Sequence, residues 1–350
     1  MAKSKTYIAT PPGATIKEQL KERGMSQKEF AVRMDLTEKH VSKLINGEVQ
    51  LTPEMAVRLE MVLGVPAQFW NNLEAIYREK LIKAKAENEM EDDEVLARLL
   101  PYSEMAKYEW VPATRDIKEK VVNLRKYFEV VKLSVLDNAQ LKSIACRRLA
   151  ITEKSDFALL AWAQKAKLEA RMIETKAFDF EGLKQLLPNL RKMTRQKQEE
   201  LFPNLQACLA EVGVALVFLP HLSGSFLQGA TFRDGKKVVI GLTARRKESD
   251  VFWFSLFHEL AHIVLGHIAI EGGTTEEDEK KANEWAENML IPRHQLEVFL
   301  EKKDTSEESI LRFAKEIEID PGIVVGRLQR EGVLDYNVLN HLRKRYEIFT

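Results

Sequence analysis

A short apolar run near residue 260 contains two histidines and a glutamate, and it constrains the fold more than any other feature of the sequence. The run is FSLFHELAHIVLGH, residues 254–267, with His258, Glu259 and His262 inside it. On a helix, residues four apart share one face, so the two imidazoles lie one turn apart. A charge buried in an apolar helix must be paired or must bind something, because burying it alone is costly. The run therefore predicts a helix that carries a polar site.

The spacing of these residues is HExxH, in which two neutral imidazoles hold zinc and the glutamate removes a proton from a zinc-bound water. The alternative is a chance pattern of core histidines. The chain contains only 7 His in 350 residues, which disfavours that alternative. We therefore predict one Zn²⁺ per chain, with His258 and His262 as ligands and Glu259 as the catalytic base.

A catalytic zinc site needs a third protein ligand, because the fourth position is kept for water. One class of HExxH enzymes uses a histidine six residues after the second one, where this chain has Ile268. Another class uses a glutamate from a second helix, and the segment 276–290 contains several. Glu279 shares a helical face with two alanines that let helices approach closely, whereas Glu284 and Glu287 fall on the charged face. We predict Glu279 as the third ligand. The residue that stabilises the tetrahedral intermediate stays open among three histidines: His221, His267 and His294.

HELAH followed by ExxANEWAENMLIP resembles the ImmA/IrrE family of bacterial metallopeptidases. The match to the family pattern is residue by residue at His258, Glu259, His262, Glu279, Ala282, Asn283, Ala286 and Pro292. The resemblance covers about 205–335. It implies a zincin-like fold with a small β-sheet, a zinc cofactor and a protein substrate, often a transcription factor.

The segment before this motif changes from a helical to a strand pattern. VGVALVFL (212–219) fits a buried strand, and ATFRDGKKVVIGL fits two strands joined at Asp234-Gly235. Residues 95–205 look mostly helical, since apolar residues recur there at a period near 3.6. Three prolines predict breaks in these helices: Pro112, Pro188 and Pro203.

The first 70 residues predict short helices separated by turns. Ser26 caps QKEFAVRM and Thr37 caps EKHVSKLIN, which gives the lengths of a helix-turn-helix. The second helix would enter the major groove of duplex DNA. The candidate DNA-binding residues are Gln27, Lys28, Thr37, Glu38, Lys39, His40, Ser42 and Lys43. A helical bundle that binds protein is the alternative, since residues 1–70 carry ten basic and eight acidic side chains.

Residues 12–73 contain SQKEFA, VSKLINGE, LTPEMAVRLE and FWNNL, and they resemble the HigA-like group of Cro/repressor-type antitoxins. The resemblance implies that the domain binds operator DNA as a homodimer. It also implies a small ribonuclease toxin as a further partner.

The composition predicts a cytoplasmic protein. Lys+Arg and Asp+Glu both number 53, so net charge does not indicate a partner. The two cysteines, Cys146 and Cys208, form no CxxC, which is typical of a reducing compartment. We expect no signal peptide and no membrane span, because no apolar run is long enough.

We predict an α+β, predominantly helical protein in three parts: a helix-turn-helix domain (1–78), a helical linker or adaptor (79–204), and a metallopeptidase domain with C-terminal helices (205–350). The charged segment 79–94 is either a solvated helix or an exposed linker. Two functions remain open. The first is a DNA-binding regulator or antitoxin whose zinc endopeptidase cleaves a protein regulator, or the chain itself. The second is a repressor or antitoxin that neutralises a ribonuclease toxin and whose metallopeptidase-like domain senses or scaffolds without proteolysis.

Overall fold

The computed structural model describes residues 2–4, 6–88, 90–137, 153–223, 228–243, 247–269 and 274–347. The chain forms two compact units, Met1–Asp92 and Asp93–Thr350. Compactness alone does not test whether a segment folds independently. The predicted division at 78/79 and 204/205 therefore stays a prediction.

The first unit is a helical bundle with a short N-terminal hairpin. The hairpin pairs β1 (Ala2–Lys3) with β2 (Ile8–Ala9). Five helices follow: α1 (Gly13–Glu22), α2 (Gln27–Arg33), α3 (Glu38–Asn46), α4 (Pro53–Leu63) and α5 (Ala67–Asn88). Their inner faces bury an apolar core that includes Ile16, Phe30, Leu59 and Trp70.

Side-chain caps start the helices of this bundle where the sequence predicts them. The Ser26 hydroxyl accepts a hydrogen bond from the backbone N–H of Glu29 at 3.1 Å, and Thr37 accepts one from His40 at 3.2 Å. Such caps satisfy backbone donors that have no partner inside the helix. The predicted starts of α2 and α3 are confirmed.

The charged segment 79–94 is helical over most of its length. Helix α5 runs through it to Asn88, and α6 starts at Glu91. The Glu87 carboxylate is buried and accepts hydrogen bonds from the Ser4 hydroxyl at 2.5 Å and the Thr6 hydroxyl at 3.1 Å. Of the two predicted states, helix and linker, the structure has the helix.

The second unit combines helices with one small sheet. Its helices are α6 (Glu91–Leu99), α7 (Tyr102–Lys107), α8 (Ile117–Phe128), α9 (Glu153–Arg171), α10 (Phe180–Lys192), α11 (Gln198–Glu211), α12 (Ser249–Val264), α13 (Glu276–Leu290), α14 (Arg293–Glu301), α15 (Glu307–Glu316) and α16 (Pro321–Arg330). Its strands are β3 (Val214–Leu219), β4 (Gly229–Asp234) and β5 (Lys237–Thr243).

The three strands lie in the order β3-β5-β4, with β5 parallel to β3 and antiparallel to β4. Asp234 pairs with Lys237, so β4 and β5 form a two-residue hairpin. Gly235 takes a φ of 61° in this turn, a conformation that favours glycine. The predicted hairpin is confirmed. Because β5 lies in the middle, β4 is an edge strand among the described strands.

Helices cover both faces of the sheet. Leu216, Ile240 and Leu242 share one core cluster with α12 and the C-terminal helices. On the other face, a Cβ at Gly241 would lie 2.6 Å from the Trp162 ring, so the indole of α9 packs directly on this backbone. The Trp162 indole N–H also donates to the Pro220 carbonyl at 3.0 Å. Both faces of the sheet are thus covered, while β4 forms one edge of it.

Two of the three predicted proline breaks are wrong. Pro188 lies inside α10 and Pro203 lies inside α11, whereas Pro112 lies between helices as predicted. A proline inside a helix costs about 3 kcal/mol. Leu187 beside Pro188 and Phe202 beside Pro203 are buried in the core, and this packing outweighs that cost.

The α+β, mainly helical architecture with a helix-turn-helix and a small mixed sheet is confirmed. No helix in the described part of the chain has the length and apolarity that crossing a membrane requires.

Candidate functional sites: a metal centre and a DNA-binding surface

Two packed helices form the candidate metal centre. Helix α12 carries the HExxH motif and packs against α13, where Ala282 and Ala286 are fully buried between them. Alanines at an interface let helix axes approach closely. This packing brings the carboxylate of Glu279 to the two histidines, although the three residues come from separate parts of the sequence.

Three donor atoms converge at this point. The Nε2 atoms of His258 and His262 are 3.0 Å apart. The Glu279 carboxylate lies 3.3 Å from Nε2 of His258 and 3.6 Å from Nε2 of His262. The two imidazoles are largely buried, with side chains 12% and 6% exposed, and Glu279 is 24% exposed. Among the described residues, these three form a cluster that could hold a metal ion.

The spacing of the donors fits zinc. Two ligands that are each about 2.1 Å from a tetrahedral ion lie about 3.4 Å from each other. The observed separations of 3.0, 3.3 and 3.6 Å bracket this value. Two imidazoles and one carboxylate are also a donor set that zinc uses in catalytic sites. The residues present therefore fit the ion that the sequence predicts.

Glu279 is kept ionised by its surroundings. Burial opposes ionisation, but hydrogen bonds from His258 and from Thr274 lower the pKa of Glu279 to about 2, helped by the charge of His262. The Thr274 hydroxyl donates to the carboxylate at 2.8 Å. A metal ligand must be deprotonated, so the carboxylate is ready to bind at neutral pH.

Strand β4 holds the carboxylate of Glu259. The Thr231 hydroxyl donates to this carboxylate at 2.6 Å, and both side chains are buried. A Cβ at Gly229 would lie 2.7 Å from the other carboxylate oxygen, so a larger residue there would displace the Glu259 side chain. The edge strand thereby fixes a buried glutamate next to the two histidines. No sequence motif pointed to Thr231 or Gly229 as part of this site.

His267 lies behind the centre. Its Nδ1 is 3.0 Å from Nδ1 of His262, while Nε2 of His262 faces Glu279. The Asp278 carboxylate lies 3.6 Å from His267 on the far side. Groups that contact a ligating histidine in this way orient its ring. Of the other histidine candidates, the His221 carbonyl accepts from Tyr108 and His294 is exposed on α14.

The candidate DNA-binding surface is one side of helix α3 and the start of α2. Val41, Leu44 and Ile45 of α3 are buried in the core. His40 is half-buried, and the remaining predicted contacts are exposed: Gln27, Lys28, Thr37, Glu38, Lys39, Ser42 and Lys43. These side chains are therefore accessible, and their contact with DNA stays a prediction. Thr37 has a structural task as well, because its hydroxyl caps α3.

Arg58 supports the turn between α2 and α3. Its guanidinium donates to the carbonyl of Met34 at 3.0 Å and of Asp35 at 3.4 Å. Asp35 has a φ of 54° in this turn, and Glu54 holds the guanidinium in place at 2.8 Å. Sequence reasoning missed Arg58, because a long-range side-chain contact leaves no local pattern.

Comparisons with known proteins match the stretches of the chain that contain the two candidate sites. Residues 16–70 match the family described as helix-turn-helix, and residues 215–329 match a peptidase family described as the IrrE N-terminal-like domain. The chain is also similar to the "Uncharacterized HTH-type transcriptional regulator YddM" of Escherichia coli (strain K12). The two sequences are 43% identical over 63 residues, which are 18% of this chain and 67% of that protein.

Fold and site together define a DNA-binding regulator that carries a metallopeptidase-like domain. Through its N-terminal residues, the chain belongs to the HTH-type transcriptional regulators. The HigA-like group, the toxin partner and the homodimer stay predictions.

Proposed function

We propose that this protein is a DNA-binding regulator whose zinc-dependent endopeptidase domain cleaves a protein regulator. The observation that carries the proposal is the convergence of His258, His262 and Glu279 within 3.0–3.6 Å, beside the buried carboxylate of Glu259. A domain used only as a scaffold would not require a buried carboxylate at this position of the motif.

The residues of the chain have distinct tasks in hydrolysis. His258, His262 and Glu279 would hold zinc, which supplies Lewis acidity towards the carbonyl and acidifies water. Glu259 accepts a proton from the attacking water and delivers it to the leaving amide nitrogen as the peptide bond breaks. Thr231 and Gly229 keep the Glu259 carboxylate in position for both transfers. His267 keeps the ring of His262 oriented.

The substrate chain would lie along β4. This strand is at the edge of the sheet as described, and its residues Gly229 and Thr231 contact the catalytic carboxylate. An extended peptide can add to such an edge through main-chain hydrogen bonds. Pairing of this kind brings a scissile peptide bond to the centre without requiring a particular side chain.

Self-cleavage within 79–94 has less support than cleavage of a separate protein. Residues 79–88 form the last turns of α5, and their backbone is hydrogen-bonded within the helix. A peptidase accepts an extended chain, so this helix would have to unwind first. We therefore propose a separate protein regulator as the principal substrate.

DNA binding would connect proteolysis to transcription. We propose that α3 enters the major groove of an operator, with Lys39 and Lys43 contacting phosphates. Two chains bound to a palindrome would account for the predicted homodimer. Cleavage of the partner regulator would then change output from the same promoter.

Wild type and Glu259→Gln test the proposal in cells. Glutamine keeps the size of the side chain but cannot accept the proton. We expect the wild type to shorten a regulator, visible by immunoblot, and to change reporter output, whereas the variant does neither. The same reporter response from both proteins, with every regulator intact, would favour the antitoxin or repressor that scaffolds without proteolysis.

A further inference from the structure

A cavity of about 650 Å³ lies beside the metal centre in the second unit. Its volume is in the range of pockets that bind ligands. Asp250, Val251 and Phe254 of α12 line one wall. Phe254 precedes His258 by four residues, on the same helical face, and the two rings are 6.2 Å apart. Phe254 therefore places this wall of the cavity one helical turn from His258.

Helix α13 forms a second wall of the same cavity. Glu287 and Leu290 line it, about two turns after the metal-site residue Glu279. One helical turn rises about 5.4 Å, whereas an extended peptide rises about 3.3 Å per residue. Two turns correspond to about three extended residues, so this wall of the cavity begins about three residues from a peptide bond held at the metal centre.

Basic residues predominate in this cavity. Five basic side chains line it: Lys247, Arg327, Arg330, Arg343 and Arg345. Only three acidic side chains do so: Glu248, Asp250 and Glu287. The first turn of α13, at the opposite end of that helix, carries four acidic residues and no basic one. A ligand that extends from the metal centre into the cavity is therefore bound more tightly if the part inside the cavity carries a negative charge.

Arg330 lies against Phe254, on the wall of the cavity nearest to His258, and its charge is only partly compensated. Its guanidinium lies 4.4 Å from the centre of the Phe254 ring. Its ion-pair partner Glu287, at 3.0 Å, is shared with Arg327 at 3.1 Å. Burial lowers the pKa of Arg330, which is typical of a guanidinium that is desolvated more than it is paired.

The other basic residues differ in how well they are neutralised. Arg343 makes two hydrogen bonds of 2.9 Å to Asp250, so its charge is balanced. Arg327 has a second carboxylate partner, Glu331, at 2.6 Å. Lys247 and Arg345 are exposed at the rim. The uncompensated charge thus lies at Arg330 and at the rim.

We propose that this cavity is a specificity pocket for an acidic side chain of the peptide substrate, with Arg330 as its principal contact. The proposal rests on the proposed endopeptidase function and names the class of peptide that the site selects. Aspartate or glutamate within about three residues of the scissile bond would place a carboxylate against the guanidinium, and the resulting charge-assisted hydrogen bonds are strong.

A randomised peptide mixture tests this selection in two arms. In the first arm, the zinc-loaded full chain digests the mixture and mass spectrometry identifies the cleaved positions. In the second arm, the zinc-loaded Glu259→Gln variant is immobilised and the retained peptides are sequenced, which requires no turnover. We expect acidic residues to be enriched roughly fivefold at one position in both arms.

Arg330→Glu should reverse the preference and enrich lysine or arginine at the same position. Arg330→Gln removes the charge without adding another and should abolish the preference for acidic residues. It replaces Arg330→Glu in the test if that variant does not fold. Arg293→Glu is the matched control, because Arg293 is an exposed arginine of α14 paired to Glu297 at 2.9 Å and lies outside the cavity.

The two arms separate this proposal from the proposed function. Acidic enrichment by retention without any cleavage would overturn the peptidase and support the pocket. Cleavage without acidic preference, or a preference that Arg330→Glu leaves unchanged, would overturn the pocket and keep the peptidase. Absence of both cleavage and acidic retention would overturn both. Thermal stabilisation by inorganic phosphate without any peptide preference would assign the cavity to a free anion and overturn the peptide assignment.

Discussion

Helices α3 and α12 place their functional side chains in opposite environments. On α3, the residues proposed to meet DNA, such as Lys39 and Lys43, are exposed and outside the core. On α12, Glu259 and His262 are 6% and 4% exposed, among apolar side chains. Buried polar groups need partners, so the function of α12 depends on neighbours in other elements.

In the first unit, the residues of the proposed function contribute little to stability. In the second unit, such residues contribute to both function and stability. Replacing an exposed side chain changes stability by less than about 0.5 kcal/mol, so the α3 residues proposed to contact DNA can be replaced at little cost in stability. A residue such as Glu259 cannot be exchanged without leaving Thr231 with a changed partner. We therefore expect variants of α3 to affect binding alone. Variants around α12 should also affect metal affinity and folding, unless the new side chain keeps the size and the hydrogen bonds of the old one.

The largest expected effect is that of Glu259→Gln on peptide hydrolysis. The rate should fall roughly 10²–10⁴-fold, the range of a lost general base. Thr231 can still donate to the amide oxygen, so the metal content and the melting temperature should stay close to wild type. The rate is measured with a cleavable peptide, beside the exposed control Glu284→Gln. An unchanged rate at full metal content would remove Glu259 from the mechanism.

The next effect is on zinc affinity and tests the third ligand. Glu279→Gln should weaken zinc binding by more than about 100-fold, beyond what loss of a supporting contact causes. Glu284→Gln on the same helix should bind zinc as wild type does, because Glu284 is exposed. Competition with a chelator measures both affinities. If Glu284→Gln loses zinc and Glu279→Gln still binds it, the ligand assignment is wrong.

Alkaline pH should destabilise the second unit through Tyr346. Burial raises the pKa of Tyr346 to about 12, while its hydroxyl accepts a hydrogen bond from the Trp253 indole of α12. The free energy of unfolding is therefore intact below pH 10 and falls between pH 10 and 12, by about 1.4 kcal/mol at pH 11. Urea unfolding across this range measures the slope.

Tyr346→Phe provides the control for this pH dependence. It should be less stable at neutral pH, because Trp253 loses its acceptor, but its stability should vary less between pH 10 and 12. Equal slopes for the two proteins would show that Tyr346 does not cause the alkaline loss.

The smallest effect concerns DNA and the exposed helix. Replacing Lys39 and Lys43 together by alanine should weaken operator binding roughly fivefold and reduce the salt slope by about 2. The free energy of unfolding should change by less than about 0.5 kcal/mol. Mobility shifts at several salt concentrations measure the slope, with Lys17 and Lys21 of α1 replaced as the matched pair. A large loss of stability would contradict the separation of function from folding in α3.

The sequence predicted features that depend on neighbours a few residues apart. Ser26 and Thr37 start their helices through bonds to residues three positions on, and Asp234-Gly235 makes a two-residue turn. The HExxH motif also depends on residues a few positions apart, because one helical turn puts both imidazoles on one face. Glu279 was chosen by the alanines on its face, which the structure buries.

The remaining features depend on contacts between distant residues. Thr231 reaches Glu259 across 28 positions, and Arg58 reaches Met34 across 24. The parallel pairing of β3 with β5 is equally non-local, and the burial that keeps Pro188 inside α10 comes from other elements. Local patterns contain no information about such partners, so only the assembled fold could show them.

The packing of Trp162 on Gly241 indicates how short a stable fragment containing the candidate metal centre can be. Val217 and Val239 share the sheet face of Gly241, by register and by alternation, so this whole face depends on α9 for cover. A fragment starting near residue 205 would expose it, and a bare apolar sheet face favours self-association. Proteolytic processing that kept the proposed peptidase domain folded would therefore have to cut upstream of residue 153. A cut after Arg171 would uncover the sheet face, and we expect it to destabilise that domain.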